Sequence, residues 1–219
     1  VRLYYFTGAN YGLDALRDRR LKLALIHQLN DPFDFAALAL PNPADRKFAK
    51  MLYDRFARTV GMLCMSKDWK HPLLWSHYAG KHSGLCLGFD VRQNQWQEVT
   101  YVPARPTLDD FGVRTYGEVT VEAFSKLCRI KFDAWAYEQE YRSIANLGEP
   151  DAANGLHFLD FENALILREV IVGERCTVGR GQVSRLIEKY EQPVDTFKAR
   201  CSFKNFEVVR QKSKRMWKD

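Results

Sequence analysis

No apolar run in the 219 residues approaches the roughly 20 needed to cross a bilayer as a helix. The opening "VRLYYFTGAN" also lacks the long apolar stretch of a secretion signal. A cytoplasmic protein without a membrane partner is the expectation. No C-x-x-C pair occurs. Cys64, Cys86, Cys128, Cys176 and Cys201 are an odd, scattered set with apolar neighbours such as Leu85 and Leu87, which points to buried free thiols over disulfides or zinc. His71, His77 and His82 lie close together but form no i, i+4 pair, so no metal site is expected. Neither Ser66 nor Thr7 sits in a nucleophile elbow, and no cysteine carries a catalytic signature, which removes support for nucleophilic hydrolysis. "VGRGQV" could hold an anion at a helix start, but the full dinucleotide and P-loop patterns are absent and Gly179 and Gly181 read as turn residues. There is no internal repeat and no convincing linker.

What is present is an ordinary globular balance, with 46% hydrophobic and 27% charged residues, which argues against disorder of the main body. Residues 1–210 read as one α+β domain and 211–219 as a basic C-terminal tail. Much of the net charge of +6 is in that tail, where "RQKSKRMWKD" surrounds Trp217 with cations. The composition is compatible with phosphate contacts and base stacking, so nucleic acid is a candidate partner; a solvated terminus is the plainer reading.

Patterning gives a coarse map. "RLYYFTG" is a strand before a turn, and "YGLDALRDRRLKLA" carries leucines at helical intervals. "LNDPFD" is a fixed bend, because Pro32 pushes Asp31 out of helical dihedrals and Asn30 can bond nearby backbone. Phe48, Met51, Leu52, Arg55 and Phe56 predict an amphipathic helix over 43–60. "MLCMS" is a buried strand, Pro72 starts a short helix through "LLWSHYA", and "LCLGFDV" alternates into another strand. After a strand at "EVTYV" comes a long loop, "VPARPTLDDFGVRTYG", and a helix over 121–135. Short strands near "GLHFL", "REVIVG", "DTFKAR" and "FEVVRQ" follow, with the helix "QVSRLIEKYE" among them. This mixed order predicts a bent, largely antiparallel split sheet with flanking helices.

The stretch "KFDAWAYEQEYRSI" at 131–144 changes period halfway. Lys131, Trp135 and Glu138 are spaced as on a helix, whereas Glu138, Glu140 and Arg142 alternate as on a strand, so a helix-to-strand junction near Tyr137 is expected. The row is either a surface salt-bridge ladder or a site in which Arg142 orients one carboxylate while another faces a pocket. A carboxylate there could stabilise an oxocarbenium-like transition state or bind ribose hydroxyls. His77, beside Trp75 and Tyr78, could line that pocket.

Several motifs together resemble an uncharacterised bacterial family, domain of unknown function 2971. They are "LYYF", "NDPFD" at 30–34, "CMS" at 64–66, "WSHYAGKHSGLCLGFD" at 75–90, "KFDAWAYEQEYR" at 131–142 and "EVIVG" at 169–173. Asp34 stands where a glutamate is common in that family and Met65 where phenylalanine is common. A more distant likeness is to the ADP-ribosyltransferase layout, in which NAD lies in a cleft of a split sheet. That resemblance implies that Glu140 binds the nicotinamide ribose and aids departure of nicotinamide and that Glu138 orients an acceptor; Glu140 is the expected catalytic residue, with Glu138 and Arg142 supporting it. It places Tyr5 at the first-strand position, where those enzymes carry histidine or arginine, and Ser66 or Tyr78 at the middle-strand position. Trp75, Tyr78 and Trp135 are the candidate aromatic walls. The implied function is cleavage of NAD or transfer of its ADP-ribose, with NAD as substrate, in a toxin or phage-defence setting. The competing expectation is a non-enzymatic nucleic-acid or nucleotide binder that uses the basic tail and the aromatic cluster; a nuclease is a third, without carboxylate spacing to name its metal ligands.

Overall fold

A computed structural model describes residues 1–161 and 164–219, with Lys214 described by its backbone alone. The chain opens with β1 (Arg2–Thr7), α1 (Ala9–Asp18), β2 (Arg20–Lys22) and β3 (Ala24–Leu25). It continues through α2 (Pro43–Thr59), β4 (Val60–Ser66), α3 (Pro72–Tyr78), β5 (Leu85–Val91), β6 (Gln97–Glu98) and β7 (Thr100–Val102). Then come α4 (Val121–Leu127), β8 (Ile130–Phe132), β9 (Glu140–Asn146), β10 (Phe158–Asp160), β11 (Leu165–Val172), α5 (Arg180–Ile187), β12 (Asp195–Cys201) and β13 (Val208–Arg210).

Among the described residues, nine strands form one mixed sheet in the order β13-β12-β11-β5-β1-β4-β9-β6, with β3 joining β4 beside this path. Only β11 and β12 run parallel in it, the connection being long enough to carry α5. The architecture is therefore α+β, as the mixed element order implies. β5 sits centrally and is buried on both faces, which is why its "LCLGFDV" is almost wholly apolar. One face packs beneath α1 and α5, where Val183 is fully buried and the Tyr190 hydroxyl donates to the Leu16 carbonyl at 2.8 Å. On the other face Trp75 meets Phe6 edge-on at 5.3 Å.

The sheet opens between β1 and β4. β1 pairs with β5 at six successive positions, from Arg2 opposite Asp90 to Thr7 opposite Leu85, but with β4 only at Tyr4 opposite Ser66. On its far side β4 pairs fully with β9, from Val60 opposite Asn146 to Ser66 opposite Glu140. The two halves of the sheet are thus hinged at one point, and the cleft lies in that divergence.

Several local readings change. α1 stops at Asp18 because Arg19 adopts a left-handed conformation (φ 55°), and "RRLKLA" becomes β2 and β3 instead of prolonging the helix. Its leucines alternate with cations, which suits a half-buried strand as well as a helix face. α4 ends at Leu127, so Lys131 lies on β8 and Trp135 in a 3₁₀ turn over Asp133–Glu138. In α2 the expected core residues Phe48 and Met51 are 38% and 54% exposed; the buried residue is Asp45, whose carboxylate accepts from the Tyr116 amide at 2.9 Å and ties down the long loop.

The C-terminal segment corrects a further expectation. Trp217 is buried and its Nε1 donates to the Val178 carbonyl at 3.0 Å, so it offers no face for base stacking. The Asp219 carboxylate accepts from the Gly181 amide at 2.8 Å, so the anion at the start of α5 is the chain's own. The described thiols are free, with Cys86, Cys128 and Cys176 buried, Cys64 half-buried and Cys201 exposed. No helix among the described residues is long and apolar enough to cross a membrane.

Candidate functional site

The 3₁₀ turn over Asp133–Glu138 is closed by Gln139 in the left-handed region (φ 44°), and β9 begins one residue later. A turn therefore separates Glu138 from Glu140, and the expected three-residue row on one strand reduces to Glu140 and Arg142. The junction falls close to Tyr137, as the change of period implied. Lys131 on β8 rejoins the two carboxylates. Its Nζ lies 2.6 Å from Glu138 Oε2 and 3.0 Å from Glu140 Oε2, and 5.1 Å from the centre of the Trp135 ring.

Arg142 locks the other side. Its Nε and Nη2 donate to the two oxygens of Glu140 at 2.8 and 3.1 Å, and Nη2 also reaches Asp34 Oδ1 at 2.6 Å. Its Nη1 donates to the Cys128 carbonyl at 3.0 Å. Asp34 arrives through the "NDPFD" bend, in which Asp31 accepts from the Phe33 amide at 2.9 Å and Phe35 is left-handed at φ 61°. Three carboxylates and two cations are thus buried together, Arg142 to 2% exposure and the other four to 5% or less. A surface ladder is excluded by that burial.

The same bend contributes Asn30, whose Nδ2 donates to the Tyr78 hydroxyl at 2.8 Å; Tyr78 in turn donates to Glu138 Oε1 at 2.5 Å. "NDPFD" and "WSHY" therefore meet at Glu138. Ser66 Oγ donates to the Glu138 carbonyl at 2.6 Å and pins the turn from β4. The Tyr101 hydroxyl accepts from the Glu140 amide at 2.9 Å.

These partners push the carboxyls apart. Burial raises Glu138 above the ordinary carboxylate value, and Lys131 and Tyr78 only partly oppose it. Burial also raises Asp34 against the pull of Arg142 and Lys131. At Glu140 burial acts in the same direction, but Arg142 and Lys131 outweigh it and hold the carboxyl at about 2. Glu140 is thus a fixed negative charge at neutral pH, while Glu138 has the greater affinity for a proton. Burial raises Tyr78, Cys64 and Tyr5, the last to about 12, so these groups stay protonated.

A cavity of about 420 Å³ fills the divergence between β1 and β4. Glu138, Glu140, Tyr5, Ser66, His77 and Tyr78 all line it, so the expected residues converge. Arg142 lies behind Glu140 and positions it. Trp75 is not a wall of the cavity: it is fully buried, with Nε1 bonded to the Trp69 carbonyl at 2.6 Å, because α3 turns that side of the helix to the sheet. Trp135 is half-buried above Lys131 beside the cavity. Sequence reasoning missed Lys131, Asp34 and Asn30 as members of the cluster, although all three lie within the motifs singled out. A neighbouring cavity of about 740 Å³ shares Tyr5 and Lys22 with the first and is also lined by Tyr11, Arg17 and Arg20. Among the described residues no group of three or more His, Cys, Asp or Glu is arranged to hold a metal ion; Lys131 and Arg142 occupy the space between the three carboxylates.

Protein-family models, curated proteins and solved structures give no match to this chain.

Proposed function

We propose that the cleft between β1 and β4 takes an NAD-type dinucleotide, and that the protein is an ADP-ribosyltransferase-like enzyme that breaks the nicotinamide–ribose bond. The observation that carries this reading is the pair Glu138 and Glu140 facing one cavity with opposite proton affinities. The motif resemblance to the family of unknown function, with its bacterial toxin or phage-defence setting, belongs to the same proposal.

Heterolysis of the C1′–N bond leaves positive charge on the ribose and releases neutral nicotinamide. Glu140, ionised and held by Arg142 and Lys131, supplies a preorganised negative charge for that oxocarbenium-like state. Glu138 accepts the proton of the incoming nucleophile, whether water or an acceptor group, and its raised proton affinity suits that role. Tyr78 and Asn30 orient its carboxylate. Tyr5 and His77 offer flat surfaces along the cavity; of the cations around the adjoining one, which Asp14 and Asp18 also line, Arg17 is paired with Asp14 and Arg20 with Asp151, which leaves Lys22 to meet a pyrophosphate.

Charge discriminates this reading. With Glu138 and Asp34 ionised beside Glu140, the buried cluster carries three carboxylates against two cations and then favours the cationic oxidised nicotinamide over the neutral reduced ring. A unit charge about 8 Å away at an effective dielectric of about 20 is worth about 2 kcal/mol. Titration calorimetry should therefore find NAD bound about 10- to 30-fold more tightly than NADH. Equal affinities, or no binding of either, would remove the proposal.

A further inference from the structure

The rim of the cleft carries an aromatic ladder of which the chemistry above uses only His77. His71 stacks on Tyr137 with centroids 5.1 Å apart and planes 22° apart, and Tyr137 faces His77 at 6.3 Å and 29°. Trp135 closes the group at 6.2 Å from His77. His77 is exposed and the other three rings are half-buried, so the ladder presents flat surface to solvent. His77 also lines the cavity, which makes the ladder continuous with the cleft. Its position is fixed from below, because Trp135 lies over Lys131 and Tyr137 precedes the buried Glu138.

Cations accompany it. Lys67 and Lys70 are exposed on the segment that runs from β4 to His71, and the Lys67 amide is anchored to the Gln139 carbonyl at 3.1 Å. Lys81 is exposed on the turn that follows α3. Asp68 and Asp133 lie on the same segments and offset part of this charge, so flat-ring stacking is the larger contribution and phosphate attraction the smaller one.

We propose that this rim binds single-stranded nucleic acid, stacking an unpaired base on the His77–Trp135 end of the ladder with Lys67 and Lys70 meeting the backbone. Planar rings in series beside lysines favour bases over a polypeptide, since every base offers a π-face whatever its sequence. Bases paired in a duplex are not free to stack there. The inference goes beyond the NAD reading and does not depend on it. It also relocates the nucleic-acid contact from the C-terminal segment, where Trp217 is buried, to the mouth of the cleft.

Fluorescence anisotropy of the full chain with labelled 12-nucleotide single-stranded DNA and RNA, and with the matching DNA duplex, tests it. Single strands should bind more tightly than duplex. His77→Ala and Trp135→Ala should each weaken single-strand binding about 5- to 100-fold. Removing Lys67 and Lys70 together should lower the slope of log K against log salt by about 1.4. His77 is exposed, so its variant tests the proposal even where Trp135→Ala unfolds; Trp135→Phe should keep most of the affinity. Absence of binding at 50 mM salt (about 14 Å screening length), equal affinity for duplex, or unchanged affinity in His77→Ala would overturn it. So would rim variants that keep oligonucleotide affinity but lose NAD-dependent labelling of polypeptides in extract, which would make the rim a protein-acceptor surface.

Discussion

Lys131→Met isolates the group that binds the two glutamates together. Lys131 Nζ lies 2.6, 3.0 and 3.9 Å from Glu138, Glu140 and Asp34, and the residue is 4% exposed. Methionine fills nearly the same volume, so the perturbation is loss of charge with little cavity. Arg142 then remains for Asp34 and Glu140, Glu138 loses its cation, and breaking a buried pair from one side costs about 3–5 kcal/mol. Part of that is recovered by protonation, and Glu138, already raised by burial, is the group that takes the proton. A raised folded-state pKa contributes stability that is present below the unfolded value and is lost as pH rises through the folded value. The variant's deficit should therefore be larger at pH 8 than at pH 5, and near pH 8 it should lower Tm by about 6–20 °C. Thermal unfolding across that range measures it. Adding Glu138→Gln should return at least about 1 kcal/mol, as a coupling between contacting residues. A loss below about 1 kcal/mol at pH 8, or a deficit independent of pH, would refute the account of the cluster as one coupled charge network.

Glu140, held at about 2, contributes stability that is complete above the unfolded carboxyl value of 4.5 and is lost as pH falls between the two. Glu140→Gln should flatten that acid limb, worth about 3 kcal/mol at about 1.4 kcal/mol per pH unit, in denaturant titrations at successive pH values. Gly84→Ala should destabilise by about 2–3 kcal/mol in the same titrations, because its Cβ would lie 2.1 Å from the Thr7 carbonyl oxygen, a backbone atom that cannot yield cheaply. Trp217→Ala should cost about 3–5 kcal/mol, the loss of a packed indole and its bond to Val178; a change under about 1 kcal/mol would restore the solvated tail.

The strands that build the cleft were legible because each has a strong local pattern. "RLYYFTG", "MLCMS" and "LCLGFDV" became β1, β4 and β5, and Pro72 did start α3. The boundaries that shifted depend on single left-handed residues. Arg19 and Gln139 end a helix and a turn without the glycine that would have announced them. Lys131 and Asp34 were hidden for a different reason: their roles come from strand and loop segments that meet only in three dimensions, Asp34 reaching Arg142 across 108 residues. Trp217 looked solvated because its neighbours in sequence are cations, whereas its partner, the Val178 carbonyl, lies 39 residues away. Trp75 carried the same ambiguity, since a tryptophan on a short helix reads alike whether it faces core or cleft.

Nicotinamide release from NAD tests the central claim most directly. Purified protein, alone and with cell extract, should release nicotinamide in at least one condition, and Glu140→Gln at matched folded concentration should lose that release while retaining NAD binding by calorimetry. Release that persists at full rate in Glu140→Gln, or none from the parent protein in either condition, would contradict the assignment of the cleft to NAD.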